Sequence, residues 1–228
     1  MRDILRSIPL FSELDDSELA AIETLASITD VPKKKIVVQE GEPGEALYVI
    51  LEGSVKISSY TTDGREIVLS ILNKGAFFGE MSLLDMRPRS ATVTTMEDAK
   101  LLQIRRRDFG QLLLQKPAMT VKLLGEVVSR LRRTSQALER ISSMDVPHRL
   151  YAHLADHCQR FGQNEKNGWF STVLPTHQLL ADQLSTSRET ISRAISALKK
   201  EGILEPSSGR GRMRVDVRAL ETLLEAFQ

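Results

Sequence analysis

Phe78 to Val93, FGEMSLLDMRPRSATV, brings together the residue types that can hold a phosphorylated sugar. Gly79 lets the backbone pass close to a ligand, because it reaches conformations closed to other residues. Met81 to Leu84, with Ser82 inside it, is long enough for one helical turn whose free amides make a concave anion site. Arg89 adds a planar fork of donors that fits a phosphate, and Ser90 adds a hydroxyl. Glu80 repels a phosphate unless its carboxylate accepts from sugar hydroxyls. From its residues alone, the stretch is either a sugar-phosphate site or a surface turn with an incidental ion pair.

A second constellation lies between Thr176 and Lys200, where THQLLADQL, STS and RETISRAISALKK read as a helix-turn-helix. Thr176 and Ser187 suit the two N-caps. Ile191, Ala194, Ile195 and Leu198 form a buried stripe, which leaves Arg188, Glu189, Ser192, Arg193 and Ser196 facing outward. Arg188 and Arg193 can each bond guanine O6 and N7, Glu189 can accept from cytosine N4, and Thr190 can meet a phosphate. The same face also reads as a solvated helix surface with an internal Arg–Glu pair. EPSSGRGRMRVDV then predicts a two-stranded wing, with Arg210 and Arg212 on a flexible tip suited to phosphate contact. Val217 to Phe227 predicts an amphipathic helix.

The intervening elements must position these residues. Residues 3 to 29 predict short helices, one of them capped by Asp15, Asp16 or Ser17 and burying Leu19, Ile22 and Leu25. From Lys35 to Ile104, short apolar runs end at Gly41, Gly53, Gly64 and Gly75, and Asp63-Gly64 is a hairpin signal, so a β-barrel or sandwich is expected. Residues 106 to 115 predict a short helix, and Pro117 to Ser143 a long one. On the long helix Val121, Leu124, Val128, Leu131, Ser135 and Leu138 alternate at three and four, the seam of a coiled-coil homodimer. Pro147 stops it and Asp145 caps the next helix, Pro147 to Arg160, so this is the expected hinge. CQRFGQNEKNGWF predicts a polar loop.

Composition excludes other classes. The 228 residues suit two modest domains, and a net charge of +1 leaves any nucleic-acid contact to local clustering. The N-terminus has no uninterrupted apolar run for a signal peptide or membrane span. The single cysteine, Cys158, fits a reducing cytoplasm. All four histidines (His148, His153, His157 and His177) follow the hinge, so the β-rich part has no haem or iron–sulfur ligand of the usual kind. His153 and His157, at i and i+4, lack a third ligand and read as helix surface. With no metal site, and no nucleophile beside a base in the barrel, the chain does not read as an enzyme.

The 78–93 stretch resembles the phosphate-binding cassette of cyclic-nucleotide-binding domains. The chain as a whole resembles the cyclic-AMP receptor protein and fumarate-nitrate reduction regulator family of bacterial transcription regulators, closest to its cyclic-nucleotide-binding branch. The resemblance implies an α+β chain: a cyclic-nucleotide-binding β-roll, jelly-roll-like, over 1–116, a dimerisation helix and hinge over 117–144, and a winged helix-turn-helix over 145–228. It also implies that Glu80 accepts from the ribose 2'-hydroxyl and that Arg89 and Ser90 bind the cyclic phosphate, while Gly79, Met81 and Ser82 shape the loop. Val55 and Ile57 line the cavity or are plain core. SRLRRTSQAL is similar to the segment that touches adenine, so Thr134 and Ser135 either recognise the base across the dimer or set its register. The implied ligand is cyclic AMP acting allosterically, with cyclic GMP, cyclic di-GMP or constitutive DNA binding without nucleotide as alternatives, and no cofactor. The implied partners are a second copy, duplex DNA with TGTGA-like half-sites, and RNA polymerase.

Overall fold

Local signals in the sequence set the element boundaries. The computed structural model describes residues 2–209 and 211–226. The chain divides into two compact units, Met1–Arg132 and Arg133–Gln228.

In the first unit, α1 (Arg2–Arg6) and α2 (Asp16–Leu25) precede the sheets. Asp15 caps α2 in a full capping box: its side chain accepts from Glu18 N, while the Glu18 side chain accepts from Asp15 N. Helix was expected as far as residue 29, but β1 (Ala26–Val31) begins at Ala26. Ile28, Thr29 and Val31 are β-branched, and the segment's backbone pairs along another strand.

The roll continues with β2 (Ile36–Val38), β3 (Ala46–Glu52), β4 (Ser54–Tyr60), β5 (Glu66–Asn73) and β6 (Phe77–Phe78). One turn, α3 (Met81–Leu84), precedes β7 (Thr92–Thr95) and β8 (Ala99–Arg105). Two antiparallel sheets result, in the orders β1-β8-β3-β6 and β2-β7-β4-β5. Strand β3 reads as an almost unbroken apolar run because both of its faces are covered. Leu47, Val49 and Leu51 pack with Phe11, Leu19 and Phe109, whereas Ile50 packs with Val55, Phe78 and Val93 inside the roll. Helix α4 (Arg106–Gln115) then leads into α5 (Pro117–Ser143), whose Met119 and Leu123 join the first of these cores.

The second unit takes up the last turns of α5. Asp145 caps α6 (Val146–Phe161), its side chain accepting from His148 N, and this bond holds the Asp145 carboxyl below its ordinary pKa. The expected polar loop after α6 contains strand: β9 (Gln163–Asn164) pairs with β10 (Trp169–Val173). Helices α7 (His177–Gln183) and α8 (Arg188–Lys200) form the helix-turn-helix, followed by β11 (Leu204–Pro206), β12 (Arg212–Asp216) and α9 (Val217–Glu225). The wing is therefore part of a four-stranded sheet, β11-β12-β10-β9, and not an isolated pair. Its core joins Leu150, Leu154 and Cys158 of α6 to Ile191, Ile195 and Leu198 of α8 and to Val215 and Leu220. The Cys158 thiol, fully buried there, is pushed up to about 12 by that burial and is unreactive near neutral pH.

Candidate functional site

The loop between β6 and β7 closes on the two ionic side chains singled out in the sequence. Gly79 has φ +85°, and a Cβ there would fall 2.6 Å from Arg89 Nη1, so only glycine lets the guanidinium pass. Arg89 is 7% exposed. Its Nη1 donates to Gly79 O at 2.7 Å and to Ser82 Oγ at 2.9 Å, and its Nη2 donates to Ala46 O at 2.8 Å. Three of the fork's five N–H groups are thereby fixed. Nε–H and one Nη2–H, on one side of the fork, have no protein partner among the described residues. Burial lowers the Arg89 pKa from its ordinary value, and the charge of Arg106 adds to this, while Tyr48 and Glu80 oppose it. The group stays cationic at any physiological pH.

Glu80 lies beside Gly79 in helical conformation and is 3% exposed. Arg130 of α5 donates from Nη1 to Glu80 Oε1 at 2.9 Å, from Nη2 to Phe77 O at 2.6 Å and from Nε to Glu126 Oε1 at 3.1 Å. Its guanidinium also stacks 4.7 Å from the Phe77 ring centroid. Burial raises the Glu80 pKa from 4.5, and Arg130 only partly offsets it.

Met81 and Ser90 are exposed on the rim, where the Ser90 hydroxyl meets Met81 Sδ at 3.6 Å, and Ser82 is buried under Arg89. Val55 is fully buried and Ile57 partly so, both in the roll's inner core. A hollow of about 180 Å³ in the roll is lined by Thr29, Val31, Val37, Tyr48, Leu101 and Gln103, none of them from the 78–93 loop. It is smaller than the ~300 Å³ at which ligand pockets begin. Thr134 and Ser135 are exposed on α5, as are Val121, Leu124, Val128, Leu131 and Leu138 of the apolar seam.

Three contributors went unread in the sequence. Arg130 carried a usable signal, since it stands four residues before Thr134, on the same face of the helix. Arg106 donates from Nε to Gly44 O at 2.9 Å and from Nη2 to Ser82 O at 3.1 Å, so it braces the same Ser82 that Arg89 bonds through Oγ. Gly44 sits so close that a Cβ would lie 2.0 Å from Ser82 Oγ. Nothing in the local sequence announces either of these two.

In the second unit, Thr176 accepts from Leu179 N and Ser187 from Thr190 N, so both caps form as expected. Arg188, Glu189, Arg193 and Ser196 are exposed on α8, with Ser192 half-buried. The Thr190 hydroxyl pairs with Ser187 Oγ at 2.9 Å and accepts from Arg193 Nη2 at 3.4 Å. Arg212 is not on a flexible tip. It opens β12, its Nε donating to Ser171 Oγ at 3.0 Å and its Nη2 to Ser171 O at 2.7 Å and Gln163 Oε1 at 3.1 Å, because β10 lies alongside. Arg210 lies outside the described residues, as does Phe227, the residue at which the last helix was expected to end. His153 and His157 are not helix surface either. His157 Nε2 lies 3.1 Å from Val173 O and 3.2 Å from Thr172 Oγ1, while burial brings the His153 pKa down to about 4.

A closed phosphate-type loop in a β-roll, joined through a long helix to a winged helix-turn-helix, defines a two-unit sensor and DNA reader. Residues 28–116 match the model of the cyclic nucleotide-binding domain, and residues 148–225 that of the Crp-like helix-turn-helix domain. The chain is 33% identical over 202 residues to the CRP-like cAMP-activated global transcriptional regulator of Mycobacterium tuberculosis, covering 89% of this chain and 90% of that protein. It is 31% identical over 211 residues to the cyclic AMP receptor protein of Thermus thermophilus, covering 92% and 94%. A solved CooA mutant from Carboxydothermus hydrogenoformans shares the fold, with a TM-score of 0.77 at 20% identity and 90% of each chain covered. The chain belongs to the cyclic-AMP receptor protein family of transcription regulators, and is a ligand-responsive DNA-binding regulator, not an enzyme. Among the described residues, no helix is long and apolar enough to cross a membrane.

Proposed function

We propose that the ligand is cyclic AMP and that it gates operator binding by a homodimer. The observation that carries this reading is the state of Arg89. Its fork is held from behind by Gly79, Ala46 and Ser82, and one side is left to meet a phosphate. Charge-assisted bonds of this kind contribute about 1.5–3 kcal/mol each. Ser90 adds a donor on the rim, and Glu80 takes the ribose 2'-hydroxyl through the carboxylate oxygen that Arg130 does not hold. The rest of the nucleotide lies against the exposed rim and not in the small hollow. Thr134 and Ser135 of the two copies receive the base, while Val55 and Ile57 back the loop from the core.

The exposed seam of α5 supports the dimer. A row of five large apolar side chains, each at least 40% exposed, is matched by an identical row on a second copy. The hinge at Asp145 and Pro147 then sets two recognition helices about 34 Å apart on a palindrome with TGTGA-like half-sites. Arg188, Glu189 and Arg193 read bases, while Thr176, Ser187, Thr190 and Ser192 lie toward the backbone. Contact with RNA polymerase in the cytoplasm completes the reading. Isothermal titration calorimetry with cyclic AMP, cyclic GMP and cyclic di-GMP tests the ligand. Saturable heat is expected from cyclic AMP and is lost in Arg89→Leu. Preferential binding of either other nucleotide overturns the assignment.

A further inference from the structure

The turn between α7 and α8 contains a conformation its sequence does not favour. Ser185 has φ +52°, in the left-handed region that suits glycine, so the turn persists only if its surroundings hold it. One side chain reaches it from the hinge. Arg149, on the first turn of α6, donates from Nη2 to Leu184 O at 3.2 Å and from Nη1 to Met144 O at 3.1 Å. Leu184 is the C-cap of α7, immediately before Ser185, and Met144 directly follows α5. One planar fork therefore joins the end of the long helix to the turn that launches the recognition helix.

Two neighbouring features fit a brace. Arg140 Nη1 donates to Asp156 Oδ2 at 2.7 Å, which ties the last turns of α5 to α6. Arg149 Nε is buried without a partner, so the guanidinium is placed by the two carbonyls and not by the best use of all its donors. Lysine, a point donor on a flexible stem, cannot replace a fork that spans two acceptors.

We infer that Arg149 is a positioning residue that fixes the recognition helix relative to the end of the long helix, and so sets the half-site spacing the dimer accepts. This rests on the paired-half-site reading above. The test uses the full chain, wild type against Arg149→Met and Arg149→Lys, with saturating cyclic AMP. Fluorescence anisotropy measures affinity for inverted half-sites at one-turn spacing and at one base pair more or less, and hydrogen exchange follows the amides of 184–187. The wild type prefers one spacing by about tenfold or more, and both variants drop to about threefold or less. The turn amides exchange faster in both variants, with or without DNA. General destabilisation weakens every spacing equally and leaves the preference intact; that result, or unchanged exchange in the turn, overturns the inference. If the wild type itself shows no preference, the paired-half-site reading fails, while the exchange data still decide whether Arg149 braces the turn.

Discussion

Arg130 Nη1 lies 2.9 Å from Glu80 Oε1, joining the long helix to the loop residue expected to accept from ribose. The Glu80 side chain is 4% exposed and that of Arg130 22%, so the pair is mostly screened from water. Removing the cation alone strands a buried carboxylate, whereas removing both leaves little to repair.

A double-mutant cycle on this pair therefore has a definite sign. Arg130→Met costs the sensor about 2–3 kcal/mol, discounted for the partial exposure of Arg130. Glu80→Gln costs less, and the double variant is more stable than the sum predicts. Strictly additive losses in urea unfolding would show that the pair is incidental. The raised pKa of Glu80 adds a pH effect. The ionised carboxylate accepts from a hydroxyl more strongly than the protonated acid does, so nucleotide affinity falls as pH drops through the folded pKa, which lies above the ordinary 4.5. In Glu80→Gln affinity is weaker and this pH dependence disappears.

His153 makes a separate prediction for the DNA-reading unit. Its pKa is about 4 when folded against an ordinary 6.5, because burial disfavours the cation. Between those values the unfolded chain binds the proton and the folded chain does not. Stability is therefore full above pH 6.5 and is lost as pH falls toward 4, by roughly 2–3 kcal/mol. Melting temperature followed over that range should flatten in His153→Leu relative to wild type; parallel curves would contradict the assignment.

The seam of α5 predicts a change of mass and not of fold. Leu124 and Leu131 are 61% and 65% exposed in the single chain. Leu124→Glu with Leu131→Glu leaves circular dichroism unchanged but places like charges across the dimer seam. Sedimentation velocity should report a monomer, and a persistent dimer would locate the interface elsewhere.

Arg188 opens α8 on its exposed face. Arg188→Ala should lower operator affinity by about 1–3 kcal/mol, roughly 5- to 150-fold, and relax selectivity at one base pair. Heats of nucleotide binding should not change. Equal losses on operator and random DNA would assign Arg188 to phosphates.

Much of this was legible because it is written locally. The N-caps at Asp15, Asp145, Thr176 and Ser187, the single turn at Met81–Leu84 and both ends of α5 depend on a few neighbouring residues. What escaped depends on distant partners. Ala26–Val31 becomes strand through pairing with Ala99–Ile104. Trp169–Val173 captures Arg212 from the wing through pairing across more than forty residues. Gly44 earns its place only because Ser82 packs on it. Arg89 and Glu80 were recognisable by type and spacing; Ala46 O, which holds Arg89, was not, and Arg130 was signalled only by its place on the Thr134 face of the helix.

The account stands most directly on the ratio of operator affinities with and without cyclic AMP, measured by fluorescence anisotropy on the unmodified protein. It predicts tighter binding with the nucleotide by about 5- to 150-fold, the 1–3 kcal/mol expected of a coupled pair of sites. It also predicts that this ratio falls to one in Arg89→Leu. Equal affinity in the two conditions for the wild type would contradict it, leaving a DNA reader without a cyclic-AMP switch.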